Sequence, residues 1–161
     1  MPITLKDLTV DFSHLDRASI LSDWQWLVGP DLHPILITAL GDAFLQDSRD
    51  GSIHLLSCGP ATLDSVCSDL EEFEGRLKDQ DFVLEHFVPT VVVALRASGK
   101  NLRTGHLYGY KIPPHLGGEY SEENLEPTDM SVHFSLMGEL HAQTRNLDAG
   151  TPIDGADINI K

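Results

Sequence analysis

The stretch ALGDAFLQDSRDGSIHLLSCG, Ala39–Gly59, decides how this chain folds. Phe44-Leu45-Gln46 and Ser52–Leu56 flank Asp47–Gly51, which ends in the pair Asp50-Gly51. An Asp-Gly pair supplies the positive-φ positions of a tight reversal, so the stretch predicts a β-hairpin and with it an antiparallel sheet. Gly41-Asp42 ends the preceding element and opens the first strand.

Downstream, Leu63, Val66, Cys67, Leu70, Phe73 and Leu77 recur at spacings of three and four. That period predicts a helix over Thr62–Lys78, with Thr62 as N-cap and Asp64 in the first turn. Its other face is a negative strip of Asp69, Glu71, Glu72 and Glu74. A second helical pattern covers Phe82–Ser98, closed by Gly99; Pro89 inside it predicts a break, or a helix that starts near Pro89-Thr90. Gly105–Ile112 reads as a strand and Pro113–Gly118 as irregular chain. Ser131–Arg145 reads as a third helix, with Phe134, Met137 and Leu140 or His141 facing inward. The tail Asp148–Lys161 is largely loop, with an edge strand at Ile158–Ile160. Upstream, Trp24 and Trp26 carry enough apolar area to anchor the N-terminal arm, and Leu8, Val10, Phe12 and Leu15 suit a short strand or a docking arm.

Hairpin, helix, helix, strand, loop, helix is not the alternation of a βαβ series, so the expected class is α+β. The expected architecture is a small antiparallel sheet, containing the hairpin, packed against about three helices. With 161 residues and no linker or repeat, one domain is expected, divided into an arm (1–23), a core (24–153) and a tail (154–161).

Eleven Lys plus Arg stand against 25 Asp plus Glu, a formal net charge of −14. Such a surface repels nucleic acid and anionic membranes and favours a basic protein partner, although acidity also serves solubility alone. No apolar run reaches membrane-spanning length and MPITLKDLTVDF lacks the charged start and apolar stretch of a signal peptide. A cytoplasmic location with reduced, semi-buried Cys58 and Cys67 is therefore expected.

Candidate chemistry is sparse. Of eight histidines, only His133 and His141 share a helical face, and their separation of eight residues is roughly 12 Å, too far to ligate one ion from a straight helix. A core role for both is the better reading. Glu119, Glu122, Glu123, Glu126 and Asp129 could supply a carboxylate pair, but an acidic loop is more often a solvated or protein-binding face. Nucleophile elbows and phosphate loops are absent from the sequence. No catalytic residue and no cofactor is expected, and the chain reads as a non-enzyme.

The segment Tyr108–Ile153 carries Tyr110, Lys111, Pro113 and Pro114, then Leu116–Tyr120, Asn124, Asp129, Val132-His133, Gly138, His141 and Gln143, and closes on Gly150-Thr151-Pro152-Ile153. These blocks resemble the C-terminal domain of Tdi-type immunity proteins of bacterial type VI secretion. Leu40–Leu45, the Asp50-Gly51 hairpin and the acidic run ending in Glu72-Phe73 match the same family and, more loosely, the SMI/KNR group. The resemblance covers roughly residues 24–153. It implies an immunity protein that binds and neutralises a delivered toxin by occlusion, a basic protein and, in the best-known group, a DNase. Longer family members carry a GAD-like portion ahead of this segment, for which the roughly 40 residues before the hairpin are too few. The expected contact surface is Asp69, Glu71, Glu72, Glu74, Glu119, Tyr120, Glu122 and Glu123, while Pro113, Pro114, Gly117, Gly118 and His133 shape the domain. The competing reading is a metal-dependent hydrolase or small-ligand binder that uses His133, His141, Asp129 and Glu119.

Overall fold

The computed structural model describes residues 3–145; the expected tail strand and the closing Gly150–Ile153 motif lie outside them. The strands are β1 (Thr9–Val10), β2 (Leu32–Thr38), β3 (Ala43–Asp47), β4 (Ile53–Ser57), β5 (Thr62–Cys67), β6 (His106–Tyr110) and β7 (Leu125–Asp129). The helices are α1 (Arg17–Ile20), α2 (Gln25–Val28), α3 (Leu70–Arg76), α4 (Gln80–Phe87), α5 (Pro89–Ala97) and α6 (Met130–Thr144). The class is α+β, as the order of elements predicts.

Strands β1 to β5 form one antiparallel meander in which each strand pairs with its sequence neighbour, and β6 and β7 form a separate ribbon. The expected hairpin is β3–β4, with Ala43 opposite Leu56 and Gln46 opposite Ile53. Its turn is closed by Asp47, which accepts from the Arg49 amide and pairs with the Arg49 guanidinium. Tyr108 in β6 donates its amide to the Ala39 carbonyl beside β2, which joins the ribbon to the meander.

The meander is buried on both faces. Ala43 and Leu45 of β3 and Leu56 of β4 pack with Trp24, Phe134 and Met137. Phe44 between them, with Ile53 and Leu55, packs with Phe73, Phe82, Phe87, Val92 and Leu95. Period-2 alternation sends successive residues to opposite sides, and a strand apolar at every position must therefore be covered twice. Helices accordingly sit on both faces, more of them than the sequence suggests.

The helix expected over Thr62–Lys78 is instead β5 followed by α3. The reason is a bulge. Ser65 pairs with His54 and Cys67 with Ile53, so Val66 is an extra residue in the ladder. The inserted residue shifts the apolar positions to 63, 66 and 67, the spacing of a helix turn. The true N-cap of α3 is Asp69, whose carboxylate accepts from the Glu72 amide at 2.8 Å. The expected break at Pro89 is real: α4 ends and α5 begins around Val88, with Pro89 in the first turn of α5. Beyond α5, Gly99 has φ +86°, and its amide and that of Lys100 bond back to Arg96 and Leu95, a Schellman closure.

Strand β7 is absent from the sequence reading, which places residues 119–129 in an acidic loop. Only Leu125 of its five residues is buried, so no alternation marks it; the full register with β6 holds it extended.

Trp24 is fully buried and donates its indole N–H to the Phe134 carbonyl at 2.8 Å, while Trp26 reaches the Gly138 carbonyl at 3.3 Å. The pair anchors the N-terminal arm on α6, as its apolar area predicts. The approach leaves no room at Gly138, where a Cβ would lie 2.6 Å from the Asp23 carbonyl oxygen. Gly138→Ala is expected to lower stability by about 1–3 kcal/mol in urea denaturation, despite the better helix propensity of alanine.

Candidate functional site

Past Tyr110 the chain makes a loop that Asn124 closes. The Asn124 carboxamide accepts from the Ile112 amide at 2.9 Å and donates to the carbonyls of Ile112 and Glu119, both at 2.8 Å. At the neck of this loop a Cβ on Gly118 would fall 1.8 Å from the Ile112 carbonyl oxygen, so only glycine fits. Lys100 fastens the far side by donating from Nζ to the carbonyls of Glu122 and Leu125.

The loop so held forms one lip of a cleft of about 580 Å³. Tyr120, Ser121, Glu122 and Glu123 line the lip; Leu40 and Asp42 enter from the β2–β3 turn, Ser57, Gly59 and Pro60 from the end of β4, and Val88 and Val91 from α5 and its start. Tyr110 and Tyr120 meet edge to face with centroids 5.9 Å apart.

Asp42 is the charged group set deepest here. Its carboxylate accepts from the Cys58 amide at 3.0 Å, and burial pushes its pKa up to about 6 against that one bond. Among the described residues, Asp42 has no Lys, Arg or His ion-pair partner. Burial, with Asp42 and Tyr120 adding to it, also raises the Tyr110 phenol, and burial raises the Cys58 thiol, with Asp42 adding to it. Cys58 is thus an inert thiol. Beside the cleft, Val88 has φ +43° and Ala61 φ +59°, the two non-glycine residues with positive φ among those described. For a β-branched residue that conformation costs on the order of 1–3 kcal/mol.

The expected contact residues divide into two groups. Tyr120, Glu122 and Glu123 share the cleft lip, and Glu119 stands exposed just before them. Asp69, Glu71 and Glu74 are exposed and Glu72 half-buried on and before α3. That helix starts at the Cys67 end of β5, whereas the cleft touches the Ser57–Thr62 end, about 17 Å along the strand. Asp42 and Tyr110 carry no site signal in the sequence; the Gly41-Asp42 pair reads as turn chemistry and nothing local marks its carboxylate as half-buried in a cleft.

The residues of the hydrolase reading are not assembled. His133 is buried and donates Nε2–H to the Gly41 carbonyl at 2.8 Å. His141 is buried and donates to the carbonyls of Cys58 and Gly59 at 2.9 and 3.1 Å. Asp129 caps α6 through the Val132 amide and Glu119 is exposed on the loop. Among the described residues, no three His, Cys, Asp or Glu side chains come together as a metal cage. The His115 ring stacks on His141 at 3.6 Å, its two nitrogens buried without hydrogen-bond partners among the described residues.

Burial holds His133 and His115 down to about 4 and lowers His141 as well. These imidazoles are neutral when folded but titrate near 6.5 when unfolded, so between those values the unfolded state binds more protons and stability falls as pH drops. Asp42, raised to about 6, acts in the opposite sense between roughly pH 6 and 4 and offsets only part. Stability measured by urea is expected to fall from pH 7 to pH 5, with His133 alone contributing roughly 2 kcal/mol, and His133→Gln is expected to flatten the profile. Asn124→Ala strands three backbone groups and is expected to cost about 2–3 kcal/mol in the same assay.

Among the described residues, no helix is long and apolar enough to cross a membrane. No curated protein matches this chain. Among solved structures, the crystal structure of Atu4351 from Agrobacterium tumefaciens superposes with a TM-score of 0.52 at 15% identity. The match covers 77% of this chain and 64% of that one, and at such identity it speaks for a shared fold. Residues 68–141 match the family described as T6SS immunity protein Tdi1, C-terminal. That segment runs from α3 through the cleft lip to His141 on α6, so a little under half of this chain is similar to the C-terminal domain of the Tdi1 immunity proteins of type VI secretion.

Proposed function

We propose that this protein binds a cognate type VI secretion toxin in the cytoplasm and neutralises it by covering its working surface, without catalysis of its own. The family match carries this reading, because residues 68–141 contain both exposed acidic groups. Physical complementarity supports it. A net charge of −14 accelerates encounter with a basic partner, and a nuclease must present a positive groove to hold phosphates. A DNase toxin fits that requirement. The proposed contact surface is Asp69, Glu71, Glu72 and Glu74 on the α3 side, with Glu119, Tyr120, Glu122 and Glu123 on the cleft lip.

Co-expression with the toxin encoded beside this gene is expected to restore growth, and the two proteins to co-purify; failure of both overturns the reading. Charge reversal in two sets, E71K/E72K/E74K and E122K/E123K, is expected to weaken the complex at least about tenfold for each set in contact, mostly through slower association at low salt. A set that leaves affinity and salt dependence unchanged is removed from the surface.

A further inference from the structure

We infer that the cleft beneath the Tyr110–Tyr120 pair receives an arginine side chain of the toxin, with Asp42 as its counter-ion. This rests on the immunity reading and specifies where the partner is gripped. Four observations converge. The Asp42 carboxylate faces a cleft with one backbone donor and no cation among the described residues. A half-buried carboxylate partly withdrawn from water is costly until a partner supplies the opposite charge. The two tyrosines at the entrance offer ring faces and edges, and a guanidinium stacks on such rings where an ammonium does not. Val88, Val91 and Leu125 give the walls an apolar surface that suits the methylene stem. Glu122 and Glu123 at the rim are exposed and place negative potential at the mouth, which draws a cation in.

The cleft volume of about 580 Å³ exceeds one side chain and leaves room for the backbone that carries it, which favours a protein loop over a free metabolite. The strained Val88 fits the same view. A β-branched residue at φ +43° immediately before a proline persists only where the surrounding structure holds it, and such positions gather at ligand clamps.

The test pairs the toxin with a small probe. Wild-type protein and Asp42→Asn, which keeps an acceptor for the Cys58 amide, are titrated with the toxin by calorimetry and with argininamide by amide-resolved NMR. The expected result is a loss of roughly 30-fold or more in toxin affinity for Asp42→Asn, with argininamide shifts at Asp42, Gly59 and Tyr120 in the wild type that vanish in the variant. Tyr120→Ala, an exposed and fold-neutral change, is expected to weaken both ligands. Toxin bound equally by wild type and Asp42→Asn overturns the cleft assignment while the immunity reading stands. A wild type that does not bind the toxin overturns the immunity reading. Argininamide shifts in that second case overturn the toxin as the source and leave a small cationic ligand.

Discussion

The imidazole N–H groups of His133 and His141 each end on a backbone carbonyl in a turn of the sheet, and the placement of the C-terminal half follows from them. Two helical turns separate the residues, so α6 is fixed to the β2–β3 turn at one point and to the β4–β5 turn at another. A helix held at two points cannot roll or slide. Strand β7 runs directly into α6 through the capping Asp129, and β6 pairs with β7 along its length. The loop that forms the cleft lip grows from that ribbon. Burial keeps both imidazoles neutral, against the opposite pull of the carbonyls that their N–H groups meet.

The same two turns that receive the histidines also build the floor of the cleft. Gly41 gives its carbonyl to His133, and its neighbour Asp42 turns its carboxylate toward the Cys58 amide. Stability would be better served by an apolar residue or by a lysine within reach of that carboxylate. Among the described residues, Asp42 is instead left with a single donor, beside two phenols whose own ionisation it opposes. Local cost of this kind, alongside a valine in left-handed conformation, is tolerated where the site serves something other than folding.

The sequence makes some of this legible. The β3–β4 hairpin follows from Asp50-Gly51, the break at Val88 from Pro89, and the inward face of α6 from its period. The resemblance in Tyr108–Gln143 points to the family that residues 68–141 match. Strand β5 reads as helix because the bulge at Val66 imitates helical spacing, and β7 reads as loop because its partner rather than its own side chains holds it extended. Part of the cleft is visible as the acidic lip. Asp42 is not, since a half-buried carboxylate in a Gly-Asp turn looks the same in sequence as a solvated one; Tyr110 and Tyr120, which line the cleft with it, lie more than 60 residues away.

The bulge that disguised β5 has a second effect, on how the molecule behaves at high concentration. β5 is the outer strand of the meander, and β1 on the opposite margin is only two residues long. An outer strand that is flat and apolar offers its free amides and carbonyls to any other chain. Here the bulge twists the ladder out of register, and Asp64 and Ser65 stand exposed beside it. Among the described residues, neither margin is a long, flat and apolar strand. A partner that meets either margin finds side chains ahead of open backbone.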